Sequence, residues 1–197
     1  MIEAGFGQDP GGRWSRHGQP LEIEIQVVAG WSDQVRAARL VVDDLQRAGV
    51  QAHLRTLDFA AWFDRLQRGT FSGSFGWSLE GPTPYIYWRS LLSERAKQPV
   101  GEPAQLNWQR SGDPRADALL TALSEARDDA AALTAAFGLH RLFCEVAPAV
   151  PLYPNPAWGE ASTARFVGFP SEDDPYARLS PNHPPEPLLV LRRLRAR

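Results

Sequence analysis

The stretch FGWSLEGPTPYIYWRS, Phe75 to Ser90, carries five aromatic side chains but only two charges. It is too apolar for a solvated loop, and proline and glycine break it too often for a helix or a strand. Trp77 and Tyr85 offer flat faces on which a ring-shaped ligand can stack. Glu80 is a charged group placed among those rings, where it needs either a partner or a task. Trp31 in AGWSD, Asn107 with Trp108 in LNWQR, and Trp158 in PNPAWGE fall in loops of similar character. Aromatic rings beside Asn, Ser and Gly combine apolar faces with hydrogen-bonding rims, as small-molecule pockets do; sugar rings stack on such faces in particular. Trp62 lies on an apolar helix face and reads as core. Tyr87 and Trp88, just ahead of the helix-like RSLL, read as plugs that hold a loop on the sheet.

Little else in the chain could do chemistry. His17, His53, His140 and His183 are scattered and show no metal-ligand spacing, so neither a metal nor a cofactor is implied. The single cysteine, Cys144 in HRLFCEVAP, reads as a buried, inert thiol on the apolar side of a helix. Asp33, Asp58 and Asp113 stand where helix caps belong. The nucleophile-elbow and phosphate-loop patterns are absent, so no catalytic machinery is visible. A net charge of −2 without a basic stripe argues against a nucleic-acid partner.

The elements that must position these residues follow from periodicity. LEIEIQVVAG alternates as a half-buried strand does, and a helix runs from the Ser32–Asp33 caps to Gly49. A second strand spans Val50 to Leu57. A helix capped by Asp58 then places Phe59, Trp62, Phe63 and Leu66 on one face and stops at Gly69. FSGSFGW reads as a third strand, small and spotted with glycine. Strand–helix alternation with short connections argues for an α/β sheet flanked by helices, with ligands held at the strand ends. Further on, Asp113 and Pro114 start a helix lined by Leu119, Leu120, Leu123 and Ala126. Another helix, Asp129 to Val146, carries Leu133, Phe137, His140 and Phe143 along one side. AVPLYP reads as a short buried strand and LLVLRRL as strand-like. Seventeen prolines and sixteen glycines fit the irregular segments, and the last 40 residues are especially irregular. With 197 residues, 43% apolar and 22% charged, the chain is ordinary globular material. No apolar run reaches the roughly 18 residues needed to span a bilayer, and MIEAGFGQDPGG lacks the marks of a secretory signal.

The order of motifs resembles the C-terminal part, the second lobe, of the family 5 extracellular solute-binding proteins. These are the peptide, nickel and oligosaccharide receptors of ABC importers. AGF at 4–6 resembles the end of the helix leading into that lobe. LEIEIQVVAGWSDQVRAARLVVDDLQRAGVQAHLRTLDFAAWFDRLQRGTFSGSFGW resembles the family's series of strand, helix with a glycine turn, strand, D-W helix and strand ending in GW. NWQRSGDPRADALLTAL resembles its N…P-x-x-D-x-L-L helix start, and EVAPAVPLYPNPAW its APVIPLY strand. The resemblance implies a periplasmic-binding-protein-like lobe, with a mixed sheet, flanking helices and an irregular tail.

Peptide-binding members carry an acidic DYPDP-like turn after the GW strand. SLEGPTPYIYWRS has no Asp there and is more similar to the cellooligosaccharide-type branch. The resemblance thus implies a binding site for oligosaccharides or oligopeptides. Trp77 and Tyr85 would be stacking platforms and Glu80 a polar contact, with Trp31, Asn107, Trp108 and Trp158 joining from neighbouring loops. QDPGGRWSRHG lacks the acidic ligands of a DxDxDG turn, so no calcium is expected. Residues 1–160 would form the second lobe and 161–197 would return to the first lobe, which has no counterpart in this sequence; the expectation is a C-terminal fragment. The full-length receptor would be periplasmic or extracellular, membrane-associated, and would work with ABC permease subunits. The exposed lobe interface would offer a route to self-association. Two other readings compete: a ligand-sensing lobe placed behind a regulator's DNA-binding domain, and a carbohydrate-active enzyme using Glu80 with a second carboxylate.

Overall fold

The computed structural model describes residues 1–81, 83–154, 159–181 and 183–197. They form two compact units, Met1–Trp77 with Ala96–Ser111 and Ser78–Arg95 with Gly112–Arg197.

In the first unit a 3-10 turn, Ile2–Ala4, precedes three short antiparallel strands: β1 (Gly7–Gln8), β2 (Trp14–Arg16) and β3 (Gln19–Pro20). Then come β4 (Glu22–Val28), α1 (Ser32–Arg47), β5 (Gln51–Leu57), α2 (Phe59–Arg68) and β6 (Gly73–Ser74). The three strands of this set are parallel in the order β5–β4–β6, so β4 is central. A central strand of a parallel sheet is covered on both faces. Ile25 and Val27 pack with Val35, Ala38 and Val42 of α1, while Val28 packs with Trp62 and Leu66 of α2. The alternation in LEIEIQVV therefore does not separate core from solvent: Gln26 is completely buried. Among the described residues FSGSFGW pairs only at Gly73 and Ser74, a shorter strand than expected.

The helix boundaries obey local chemistry, with one correction. The Asp58 carboxylate accepts the Ala61 N–H at 2.9 Å and so caps α2, which ends at Gly69 with φ +67°. The N-cap of α1 is Trp31, which contributes no side-chain bond; Ser32 and Asp33 lie inside the first turn. Gly49, at φ +88°, has no room for a side chain. A Cβ there would collide with the Gly12 carbonyl oxygen, where the β1–β2 turn crosses the end of α1.

The second unit is built on α3 (Tyr85–Leu92), α4 (Pro114–Glu125) and α5 (Asp129–Val146). Its core joins Leu92, Ala116, Leu120, Leu139, Leu142 and Phe143. After α5 come β7 (Phe166–Val167), α6 (Glu186–Arg193) and β8 (Arg195–Ala196), with β7 and β8 antiparallel. Several expectations are corrected here. The buried stripe of α5 is Ala135, Leu139 and Leu142 with Phe143, whereas Leu133 and Phe137 are exposed. Both stripes are apolar, and only tertiary packing distinguishes them. Cys144 is exposed, its Sγ 3.9 Å from His140 Nε2. AVPLYP forms no strand; Val150, Leu152 and Tyr153 are exposed. LLVLRRL lies largely in α6, whose last turn is basic. Tyr87 and Trp88 belong to α3 and do not plug a loop on the sheet: Trp88 packs on Phe143 at 5.7 Å. No helix among the described residues is long and apolar enough to cross a membrane.

Candidate functional site

The three parallel strands end on the same side, and each is followed by an aromatic residue. Trp31 comes after β4, Phe59 after β5 and Trp77 after β6. Residues just past the C-terminal ends of parallel strands converge on one edge of the sheet, where α/β folds hold ligands. Here they converge on Trp62, which is fully buried beneath them. Trp31 meets Trp62 edge-on at 5.1 Å and Trp77 at 5.7 Å. Trp77 lies 5.3 Å from Trp62 and stacks over Phe63 at 6.4 Å with planes 15° apart. Phe59 stacks on Phe63 at 5.5 Å. The rings form a continuous wall whose outermost members are Trp77 and Phe59, 39% and 49% exposed.

Trp108 closes the wall from a loop that is tied to the end of α2. A helix leaves its last carbonyls without partners, and this loop supplies them. Gly101 N–H donates to the Arg68 carbonyl and Ala104 N–H to that of Gln67. The Arg110 guanidinium donates to the carbonyls of Gln67, Glu102 and Asn107, and burial lowers its pKa. Asn107 is buried in the left-handed region, at φ +53°, and its amide donates to the Ser111 carbonyl. The next residue, Trp108, donates its indole N–H to the Ala104 carbonyl at 3.1 Å. Its ring meets Trp77 at 5.8 Å and Phe63 at 6.3 Å, both edge-on.

Of the residues singled out in the sequence, Trp31, Trp77 and Trp108 come together in this wall, and Asn107 shapes the loop that carries Trp108. Glu80 and Tyr85 belong to the second unit. Glu80 is about half exposed, with its carboxylate 3.8 Å from both Arg178 Nη1 and His183 Nε2. His183 Nδ1 lies 2.6 Å from the hydroxyl of Ser180. At 3.8 Å Glu80 is within ion-pair range of Arg178 but beyond hydrogen-bonding reach of both partners. Tyr85 opens α3 and packs against the leucine core; it also lines a groove of about 780 Å³ with Leu123, Asp128, Asp129 and Leu133. Trp158 lies outside the described residues. No group of three or more His, Cys, Asp or Glu side chains placed to hold a metal occurs among the described residues.

Phe59 and Phe63 were not singled out. The signal was present: a D-F-x-x-W-F run directly after a strand puts three rings on the first turns of a helix at the sheet edge.

No protein-family model matches the sequence, and no curated protein matches it. The fold does have counterparts among solved structures. The mannohexaose-bound periplasmic oligopeptide-binding protein of an oligopeptide ABC transporter from Thermotoga maritima superposes with a TM-score of 0.82 at 22% identity. It covers 100% of this chain, and the chain spans 38% of its length. NikZ from Campylobacter jejuni in complex with Ni(L-His) gives a TM-score of 0.65 at 17% identity, over 75% of this chain and 29% of its own. An oligopeptide-binding protein from Thermus thermophilus complexed with a pentapeptide gives 0.64 at 19%, over 77% and 28%. The chain therefore has the fold of a lobe of the periplasmic binding proteins of ABC transporters, as the motif order implied. These neighbours are solute-binding proteins, not enzymes.

Proposed function

We propose that this chain is a ligand-binding lobe of an ABC importer's substrate-binding component, and that it takes oligosaccharides or oligopeptides. The observation that carries this reading is the half-exposed indole of Trp77 in a wall of rings at the C-terminal edge of a parallel sheet. A flat apolar face with nearby polar groups binds sugar rings by stacking and peptide side chains by burial. Trp31, Trp77 and Trp108 are the stacking surface, and Asn107 holds the last of them in place. Glu80, Tyr85 and Trp158 are proposed as further ligand contacts. The receptor works as a clamp that closes on ligand between two lobes. This chain supplies one of them, and ABC permease subunits are the partners in a periplasmic or extracellular setting at the membrane. The exposed apolar residues of α5 and α6 also support self-association of the isolated chain.

The test is a titration of intrinsic tryptophan fluorescence, with mannohexaose in one series and a pentapeptide in another. A saturable shift whose Kd rises by about thirtyfold in Trp77→Ala is the expected result. An unaltered Kd in Trp77→Ala would remove the wall as the site.

A further inference from the structure

Beneath the aromatic wall, Trp62 is fixed by a polar contact. The Trp62 indole Nε1–H donates to Ser74 Oγ at 3.1 Å. Ser74 is one of the two residues of β6, and its hydroxyl donates to the Phe75 carbonyl at 3.0 Å. Gln26, in the centre of β4 and fully buried, donates from Nε2 to the same Ser74 oxygen at 3.3 Å. A serine hydroxyl has one proton and two lone pairs, so these contacts saturate it. The other end of the Gln26 amide accepts from Arg65 Nε at 2.8 Å. Arg65 in turn donates to Glu24 at 2.8 Å, and Glu24 also accepts from Arg55 at 3.2 Å. Arg65 can only donate and the Trp62 indole can only donate. The amide of Gln26 therefore has one orientation, with its oxygen toward Arg65 and its nitrogen toward Ser74.

We infer that Gln26 and Ser74 are positioning residues for ligand binding: a charge-anchored relay from Glu24 through Arg65, Gln26 and Ser74 sets the orientation of Trp62, and Trp62 sets Trp31 and Trp77. The inference rests on the reading of the wall as the binding surface. Its physical basis is that a buried donor without an acceptor is costly, so the indole keeps the one ring orientation that reaches Ser74. Trp31 and Trp77 pack on that ring at 5.1 and 5.3 Å and inherit its orientation. A leucine at position 26 would fill the same space without directing the serine.

The test uses the full chain and two readouts, near-ultraviolet circular dichroism of the tryptophans and the Kd for mannohexaose and for a pentapeptide. Ser74→Ala and Gln26→Leu are expected to keep the far-ultraviolet spectrum, to lose much of the near-ultraviolet tryptophan signal and to weaken binding by about tenfold, the scale of one unsatisfied buried donor. Ser74→Thr, which keeps the hydroxyl, should retain both readouts. In a Trp62→Phe/Gln26→Leu background, which removes both side-chain donors to Ser74, Ser74→Ala should change neither readout further. Unaltered tryptophan spectra in Ser74→Ala and Gln26→Leu would overturn the inference. Should Ser74→Ala not fold, Gln26→Leu decides: loss of the near-ultraviolet tryptophan signal supports the relay, and an unaltered signal overturns it. Absence of binding by the unaltered chain would count against the proposed function alone, because the spectra still judge the relay.

Discussion

Trp77 and Trp108 meet edge to face, with ring centroids 5.8 Å apart and planes at 83°. One comes from the end of the third strand and the other from a loop further along the chain that is tied to the end of α2. Their junction makes the wall continuous, and it needs both the sheet and the loop to be in place.

Removing the outer ring should weaken binding. Trp77→Ala is expected to weaken the better of the two ligand classes by on the order of 2 kcal/mol, about thirtyfold in Kd, as for an aromatic anchor at an interface centre. Trp88→Phe, in the second unit's core, should leave Kd unaltered. Fluorescence titration measures both.

The cap of α2 offers a second check, because that helix carries Phe59, Trp62 and Phe63. Asp58→Ala removes the acceptor of the Ala61 N–H and should cost about 1 kcal/mol in chemical unfolding. Asp58→Asn keeps a capping oxygen and should be close to neutral. Equal losses in both variants would mean that the side chain does something other than cap.

Acid should weaken the second unit. The Arg115 guanidinium and backbone N–H beside Asp113, and the Arg178 guanidinium beside Glu186, hold these carboxyls below their usual ranges. The folded state therefore binds these protons less tightly than the unfolded chain does. The resulting stability is complete above about pH 5 and is lost as pH falls through the lowered values. Asp113→Asn keeps a cap without a titrating group, so its urea midpoint should fall less between about pH 6 and about pH 3 than that of the unaltered chain. Identical pH dependence would assign the acid sensitivity elsewhere.

Two exposed apolar stripes make association testable. Leu133 and Phe137 on α5 are 55% and 66% exposed, and Leu188 and Leu191 on α6 are 66% and 64% exposed. Sedimentation velocity is expected to show concentration-dependent association, reduced in Phe137→Arg/Leu191→Glu. A monomer at every concentration would remove self-association from the proposed function.

Much of this protein follows from local sequence. The Asp58 cap, the Gly69 stop, the whole of α5 from Asp129 to Val146 and the alternation of strand and helix are all legible, because caps, glycine turns and period-3.6 patterns act through neighbours in the chain. The aromatic loop residues Trp31, Trp77 and Trp108 are also legible as a set, since short connections bring successive strand ends to one edge. Other features depend on which surface meets which. Leu133 and Phe137 look as apolar as Leu139 and Leu142, and only the position of α4 decides which stripe of α5 is buried. The sequence LLVL is helical in α6, which buries Val190 and leaves Leu188, Leu189 and Leu191 exposed, although its leucine-rich pattern also suits a strand. Gln26 alternates like a solvent-facing strand residue, yet it is fully buried, because α2 covers the second face of β4 and brings Arg65 to its amide, while β6 brings Ser74. Alternation along a strand reports two faces, and a burial partner for each face exists only once the helices have packed. That is why a glutamine that sequence periodicity assigns to water becomes the centre of the network beneath the aromatic wall.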